Sequence, residues 1–156
     1  MDTKIKIGVV IVADDGRVLL IKEKLSKDEP ALWNIIKGSH EGGETVGEAA
    51  LRECREEVGL DVELVSSLGV YISQAPGKTR IQFNFLAHAK STEATLAVSP
   101  EQESRGEAIL EARWFTKEDL AIMQPNEFMS SRTRELLNDW MTGKSLPLDV
   151  CKEVEM

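Results

Sequence analysis

The sequence predicts an α/β fold, an α/β/α sandwich with a mixed central sheet between two helical layers. Three observations carry the prediction. Runs rich in β-branched residues flank one capped, amphipathic helix, so strands both precede and follow it. A second amphipathic helix near the C-terminus is available for the opposite face of the sheet. The 156 residues suit a single domain over residues 1–156, long enough to bury a core without disulfides. No repeat, linker or low-complexity segment divides them.

Each element follows from local chemistry. Lys4 to Ala13 reads as a buried strand. Asp14-Asp15-Gly16 is a hairpin turn, and Arg17 to Leu25 the returning strand. Ser26 to Ala31 is a polar loop with Pro30, and Leu32 to Lys37 a short strand. Gly38 to Glu44 holds three glycines and reads as a loop. Thr45, with Glu48 three residues on, signals an N-cap. The helix then runs to Val58 and stops at Gly59. Its core stripe is Val46, Ala50, Cys54 and Val58, with Leu51 alongside.

Asp61 to Ser73 is a strand bent near Gly69, and Gln74 to Lys78 a turn. Thr79 to Lys90 alternates, with Ile81, Phe83 and Phe85 on one face and Arg80, Gln82 and Asn84 on the other. Ser91 to Gly106 is loop, Ala108 to Phe115 a strand, and Lys117 to Met123 a short helix capped by Thr116. Pro125 and Asn126 break it. A last helix, capped by Ser130 or Ser131, runs to about Met141 and is ended by Gly143. The tail from Lys144 shows no period.

Composition narrows the function. A net charge of −8 argues against a nucleic-acid polymer or an anionic membrane as partner. An acidic protein that handles phosphates needs a cation between the two. Cys54 and Cys151 have no zinc spacing and make no disulfide framework, which reads as reduced thiols in a cytoplasmic protein. The apolar run Ile7 to Ala13 is short and passes into Asp14-Asp15-Gly16, so no leader peptide or membrane span is expected.

The chemistry is concentrated between Gly38 and Leu60. Glu53, Glu56 and Glu57 stand three and four residues apart and share one helical face. Like charges so placed repel, and a hard cation with oxygen ligands is the usual reason for tolerating them. The alternative, a solvated glutamate-rich face, explains neither the upstream Gly38 and Glu44 nor the pair Arg52-Glu53.

Gly38, Glu44, Arg52, Glu53, Cys54, Glu56, Glu57, Gly59 and Leu60 together match the Nudix box, and the chain resembles the Nudix hydrolase superfamily. Chance coincidence at seven fixed positions is on the order of 10⁻⁹ per starting point. The resemblance implies Mg²⁺, or Mn²⁺ in its place, held by Glu53, Glu56 and Glu57, with the backbone at Lys37-Gly38 joining them. It implies that Arg52 fixes a neighbouring carboxylate and that Glu53 or Glu44 helps to deprotonate the attacking water. Glu57 joins these three in the catalytic set. A further acid from outside the box is expected from Glu101, Glu103, Glu107 or Glu111, with Glu101 and Glu103 favoured. Two departures stand out: Ile36-Lys37 replaces the Pro-Gly or Pro-Lys of many relatives, and Cys54 fills the apolar slot.

Leu32-Trp33-Asn34, Ala75-Pro76-Gly77-Lys78-Thr79 and the stretch Thr142 to Leu148 are similar to the bacterial NudJ-type phosphatases. That implies hydrolysis of a phosphoanhydride bond in a nucleoside di- or triphosphate or a related pyrophosphate. Dinucleoside polyphosphates, ADP-ribose and oxidised nucleotides are the alternative substrates, and a nucleotide-sensing module without activity the non-enzymatic reading. Trp33, Lys37, Arg80, Gln82 and Asn84 are the substrate-binding candidates by position. Core packing of Trp33 and solvation of the polar strand face are the plainer alternatives. Trp114 and Trp140 are read as core, and His40 and His88 receive no role. Monomer and homodimer both stay open.

Overall fold

A computed structural model describes residues 1–96 and 108–156. The elements are β1 (Asp2–Ala13), β2 (Val18–Lys24), β3 (Leu32–Asn34), β4 (Ile36–Ser39), α1 (Val46–Val58), β5 (Val62–Ala75), β6 (Lys78–Ala89), β7 (Ala108–Phe115), α2 (Lys117–Ala121) and α3 (Ser131–Met141). Short 3-10 turns occupy Pro125–Glu127 and Leu148–Val150.

The sheet is mixed. β1 runs parallel to β6 from Asp2↔Lys78 to Ala13↔Ala89, and β5 closes an antiparallel hairpin on β6. The other side of β1 is shared: β4 pairs with it antiparallel, and β2 meets it at Val12↔Val18. β2 in turn carries β3 and β7. The central strand buries a continuous run from Ile7 to Ile11, as a strand covered on both faces must.

Two cores result. Ile7, Val9, Ile11, Leu19 and Ile21 meet Val46, Ala49, Ala50, Cys54 and Val58 of α1. On the opposite face Val10, Val18 and Leu20 meet Leu120, Leu136, Leu137 and Trp140. This is the α/β/α arrangement the sequence predicts. Each fully buried Val, Ile or Leu contributes about 1.5–3 kcal/mol by area removed from water. The small residues Ala49, Ala50 and Cys54 let α1 lie close to the sheet, while Leu51 is only half-buried. Both predicted caps form: Thr45 accepts from Glu48 N at 3.1 Å, and Gly59 takes the left-handed φ of 65° that closes the helix.

Four expectations change. The single strand expected over 32–37 is two, broken at Ile35. Asn34 Oδ1 accepts from Ile35 N at 2.9 Å, so a side chain takes a donor the ladder would have used. The polar face of β6 is not solvated: Gln82 and Asn84 are 4% and 1% exposed and bond to each other at 2.7 Å. The tail is ordered by docking. Leu146 exchanges backbone hydrogen bonds with Ser67, Cys151 packs on the first core, and Glu153 Oε2 accepts from Val46 N at 3.1 Å. The short helix also ends earlier than expected, at Ala121.

Candidate active site

β4 and α1 meet at Gly38. β4 pairs with β1 in the register Gly8↔Lys37 and Ile7↔Gly38. Gly38 therefore faces α1, with Lys37 on the far side of the sheet. A Cβ on Gly38 would fall 1.9 Å from Glu53 Cδ and 2.1 Å from its Oε1. Ordinary carbon contacts lie near ~3.5–4.0 Å, so only glycine leaves room for this carboxylate.

Arg52 organises the acids around it. Its Nε and Nη2 donate to the two oxygens of Glu44 at 3.0 and 2.7 Å. Nη1 donates to Glu53 Oε1 at 2.9 Å and Glu56 Oε2 at 3.1 Å, and Nη2 also reaches Ser39 O at 2.9 Å. This ties the glycine loop to α1. The Arg52 fork, aided by the Glu41 N–H, holds the Glu44 carboxyl down to about 2.

Glu53 and Glu57 behave in the opposite way. Burial pushes the Glu53 carboxyl up, against the pull of Arg52. Glu57 is pushed up to about 9, first by burial, then by the carboxylates of Glu53 and Glu23, with the Lys37 N–H opposing. Cys54 between them is a structural thiol, raised to about 12 by burial.

The donor set fits a hard divalent cation in part. Among the described residues no group of three or more His, Cys, Asp or Glu already converges on a metal-sized centre, since Arg52 draws Glu44, Glu53 and Glu56 onto itself. Yet Glu57 Oε2 is buried with no hydrogen-bond partner among the described residues. An orphaned carboxylate oxygen beside a second buried carboxylate is what a cation satisfies.

Beside Gly38 opens a cleft of about 430 Å³ lined by Lys6, Glu23, Asn34, Lys37, Ser130 and Arg132 among others. Burial and the nearby charges of Arg132 and Lys6 bring Lys37 down to about 8. Of the substrate-binding candidates, Lys37 alone lines this cleft. Trp33 is 6% exposed in the second core, edge-to-face with Phe115 at 4.9 Å. Arg80 is drawn to Asp2, with Nη2 2.9 Å from its carboxylate. Gln82 and Asn84 are the buried pair described above. Glu111 pairs with Arg113 at 2.7 Å, and Glu101, Glu103 and Glu107 lie outside the described residues.

Lys6, Arg132 and Glu23 escaped the sequence reading. Glu23 stands where the β2–β7 register shifts between Lys22 and Glu23, and such a bulge re-aims a side chain. Its Oε1 accepts from Asn34 Nδ2 at 2.8 Å, and Asn34 in turn accepts from the Thr133 hydroxyl at 2.7 Å. A charged residue late in an apolar strand was the available signal.

Comparisons with known proteins place the chain in a family and a fold. A family model described as NUDIX domain matches residues 2–139. The chain is 28% identical to Phosphatase NudJ of Escherichia coli over 141 residues, covering 90% of this chain and 85% of that protein. It is 32% identical over 153 residues to 8-oxo-dGDP phosphatase NUDT18 of Homo sapiens, covering 93% of this chain and 45% of that protein. The chain spans less than half the length of several curated relatives it matches. A NUDIX hydrolase structure from Nitrosomonas europaea superposes with a TM-score of 0.79 at 22% identity, covering 98% of both chains, and shares the fold.

Proposed function

We propose, from a chain that belongs to the NUDIX domain family, that this protein is a Mg²⁺-dependent hydrolase of small phosphoanhydrides. The substrate is a nucleoside di- or triphosphate or a related pyrophosphate. The observation that carries the proposal is the buried Glu53 against Gly38, with the half-buried Glu57 alongside it and its orphaned, buried Oε2. Glu53, Glu57 and the exposed Glu56 would hold the cation, together with the backbone at Gly38. When bound, Mg²⁺ neutralises phosphate oxygens and acidifies a water. Relatives named as phosphatases, one of them for 8-oxo-dGDP, support this substrate class.

The chain's own residues do the rest. Arg52 fixes Glu53 and Glu44 relative to each other and to the Ser39 carbonyl. Both Glu44 oxygens lie on that fork, so Glu44 orients rather than accepts a proton. The bond from Glu53 to Arg52 uses Oε1, which makes Glu53 the better base for the attacking water. Lys37, Lys6 and Arg132 give the mouth of the site the positive potential a polyphosphate needs in an otherwise acidic protein.

The test is a panel of nucleotides and nucleoside-diphosphate derivatives incubated with Mg²⁺ and read by mass. Release of phosphate, pyrophosphate or a monophosphate from a panel member supports the proposal. Binding with Mg²⁺ but no cleavage of any member replaces it with the sensing module.

A further inference from the structure

We propose that the cleft between Lys6, Lys37 and Arg132 holds a non-reacting phosphate of the substrate, one step along the chain from the phosphoanhydride presented to Glu53 and Glu57. The inference rests on the hydrolase reading and adds to it a preference for longer phosphate chains.

The pleat of β4 makes it two-sided. Lys37 and Ser39 pair with Gly8 and Lys6, while Gly38 between them faces Glu53. One strand thus separates a carboxylate side from a cationic side. Gly38 lines the cleft as well, so the two are contiguous. Three cations and one carboxylate, Glu23, line a cleft of about 430 Å³ in a chain whose net charge is −8.

Two of the cations are held by hydroxyl groups, which leave their charge available. Lys6 Nζ donates to Ser39 Oγ at 2.8 Å, and Arg132 Nη1 to Ser73 Oγ at 3.2 Å. Glu23 is held by Asn34 through Oε1. The positive end of α3 also meets the cleft, because Ser130 is its N-cap and a lining residue. An arginine fork, two ammonium groups and a helix N-terminus together suit a phosphate with several free oxygens.

Inorganic pyrophosphate is the probe, titrated into the protein in EDTA and followed by ³¹P NMR. Saturable binding is expected, weakening as salt is raised. The dissociation constant should rise at least tenfold in Lys37→Met and in Arg132→Gln. In turnover, both variants should raise KM more than they lower kcat, and should narrow the preference for a triphosphate over its diphosphate. Glu57→Gln should abolish hydrolysis yet bind pyrophosphate as well as the unaltered protein, so loss of chemistry is separable from loss of this site. Pyrophosphate binding with unchanged affinity in both cation variants would overturn the assignment.

Discussion

Glu57→Gln should stabilise the metal-free protein at neutral pH while removing its activity. In the folded chain the Glu57 carboxyl is pushed up to about 9, against 4.5 for an ordinary glutamate. A group raised in the folded state contributes stability that is complete below pH 4.5 and is lost as pH climbs towards 9. Each pH unit in between removes up to about 1.4 kcal/mol. Two other groups set the usable window. Glu44, held down to about 2, changes stability only in acid, as pH falls through its ordinary range. Lys37, brought down to about 8 from 10.5, adds stability with rising pH above 8. Between about pH 5 and 8 the raised carboxyls of Glu57 and Glu53 therefore dominate, with a ceiling of about 4 kcal/mol for Glu57. At about 2–4 °C per kcal/mol for a chain of this size, that is a fall in Tm of about 8–16 °C. Calorimetry in EDTA across this window should show the fall in the unaltered protein and largely remove it in Glu57→Gln. Saturating Mg²⁺ should flatten the curve of the unaltered protein, because the bound cation replaces the proton. Parallel curves for the two proteins in EDTA would refute the burial of Glu57 as the origin of its shift.

Gly38→Ala puts a methyl where Glu53 Cδ now lies 1.9 Å away; the carboxylate must move by roughly 1.5 Å to restore contact distance. The fold should survive by circular dichroism while kcat falls about 100-fold or more, and a kcat within threefold would dismiss the cradle. Arg52→Lys replaces a fork that reaches Glu44, Glu53 and Ser39 O with one ammonium. Urea unfolding should show a loss of at least about 2 kcal/mol together with loss of turnover; retention of both would leave the network without a role. Thr45→Ala removes the cap on Glu48 N and the weaker bond the hydroxyl donates to Glu48 Oε1, and should cost about 1 kcal/mol in the same assay without altering the products formed.

Much of the fold was legible because its signals are local. The apolar run of β1, the Thr45 cap and the Gly59 stop each follow from a few neighbouring residues, and each formed where expected. The order of strands was not legible. The pairing of β1 with β6 joins residues more than seventy positions apart, and no local pattern encodes it. The break at Ile35 escaped because it depends on where Asn34 turns its side chain once Thr133 is alongside. The burial of Gln82 and Asn84 escaped for a related reason, since alternation gives two faces but not which is covered. The box residues were legible as a set, whereas Lys6, Glu23 and Arg132 become neighbours only when β1, β2 and α3 converge on one cleft.

The central claim is that Glu53 and Glu57 support hydrolysis of a phosphoanhydride with Mg²⁺. Turnover of the nucleotide panel in ¹⁸O-labelled water, with products read by mass, tests it most directly. The prediction is one labelled phosphate-bearing product with Mg²⁺, none in EDTA, and a loss of several orders of magnitude in Glu57→Gln with the fold intact. Labelled product forming at an undiminished rate in Glu57→Gln, or nucleotide bound with Mg²⁺ and left uncleaved by the unaltered protein, would contradict it.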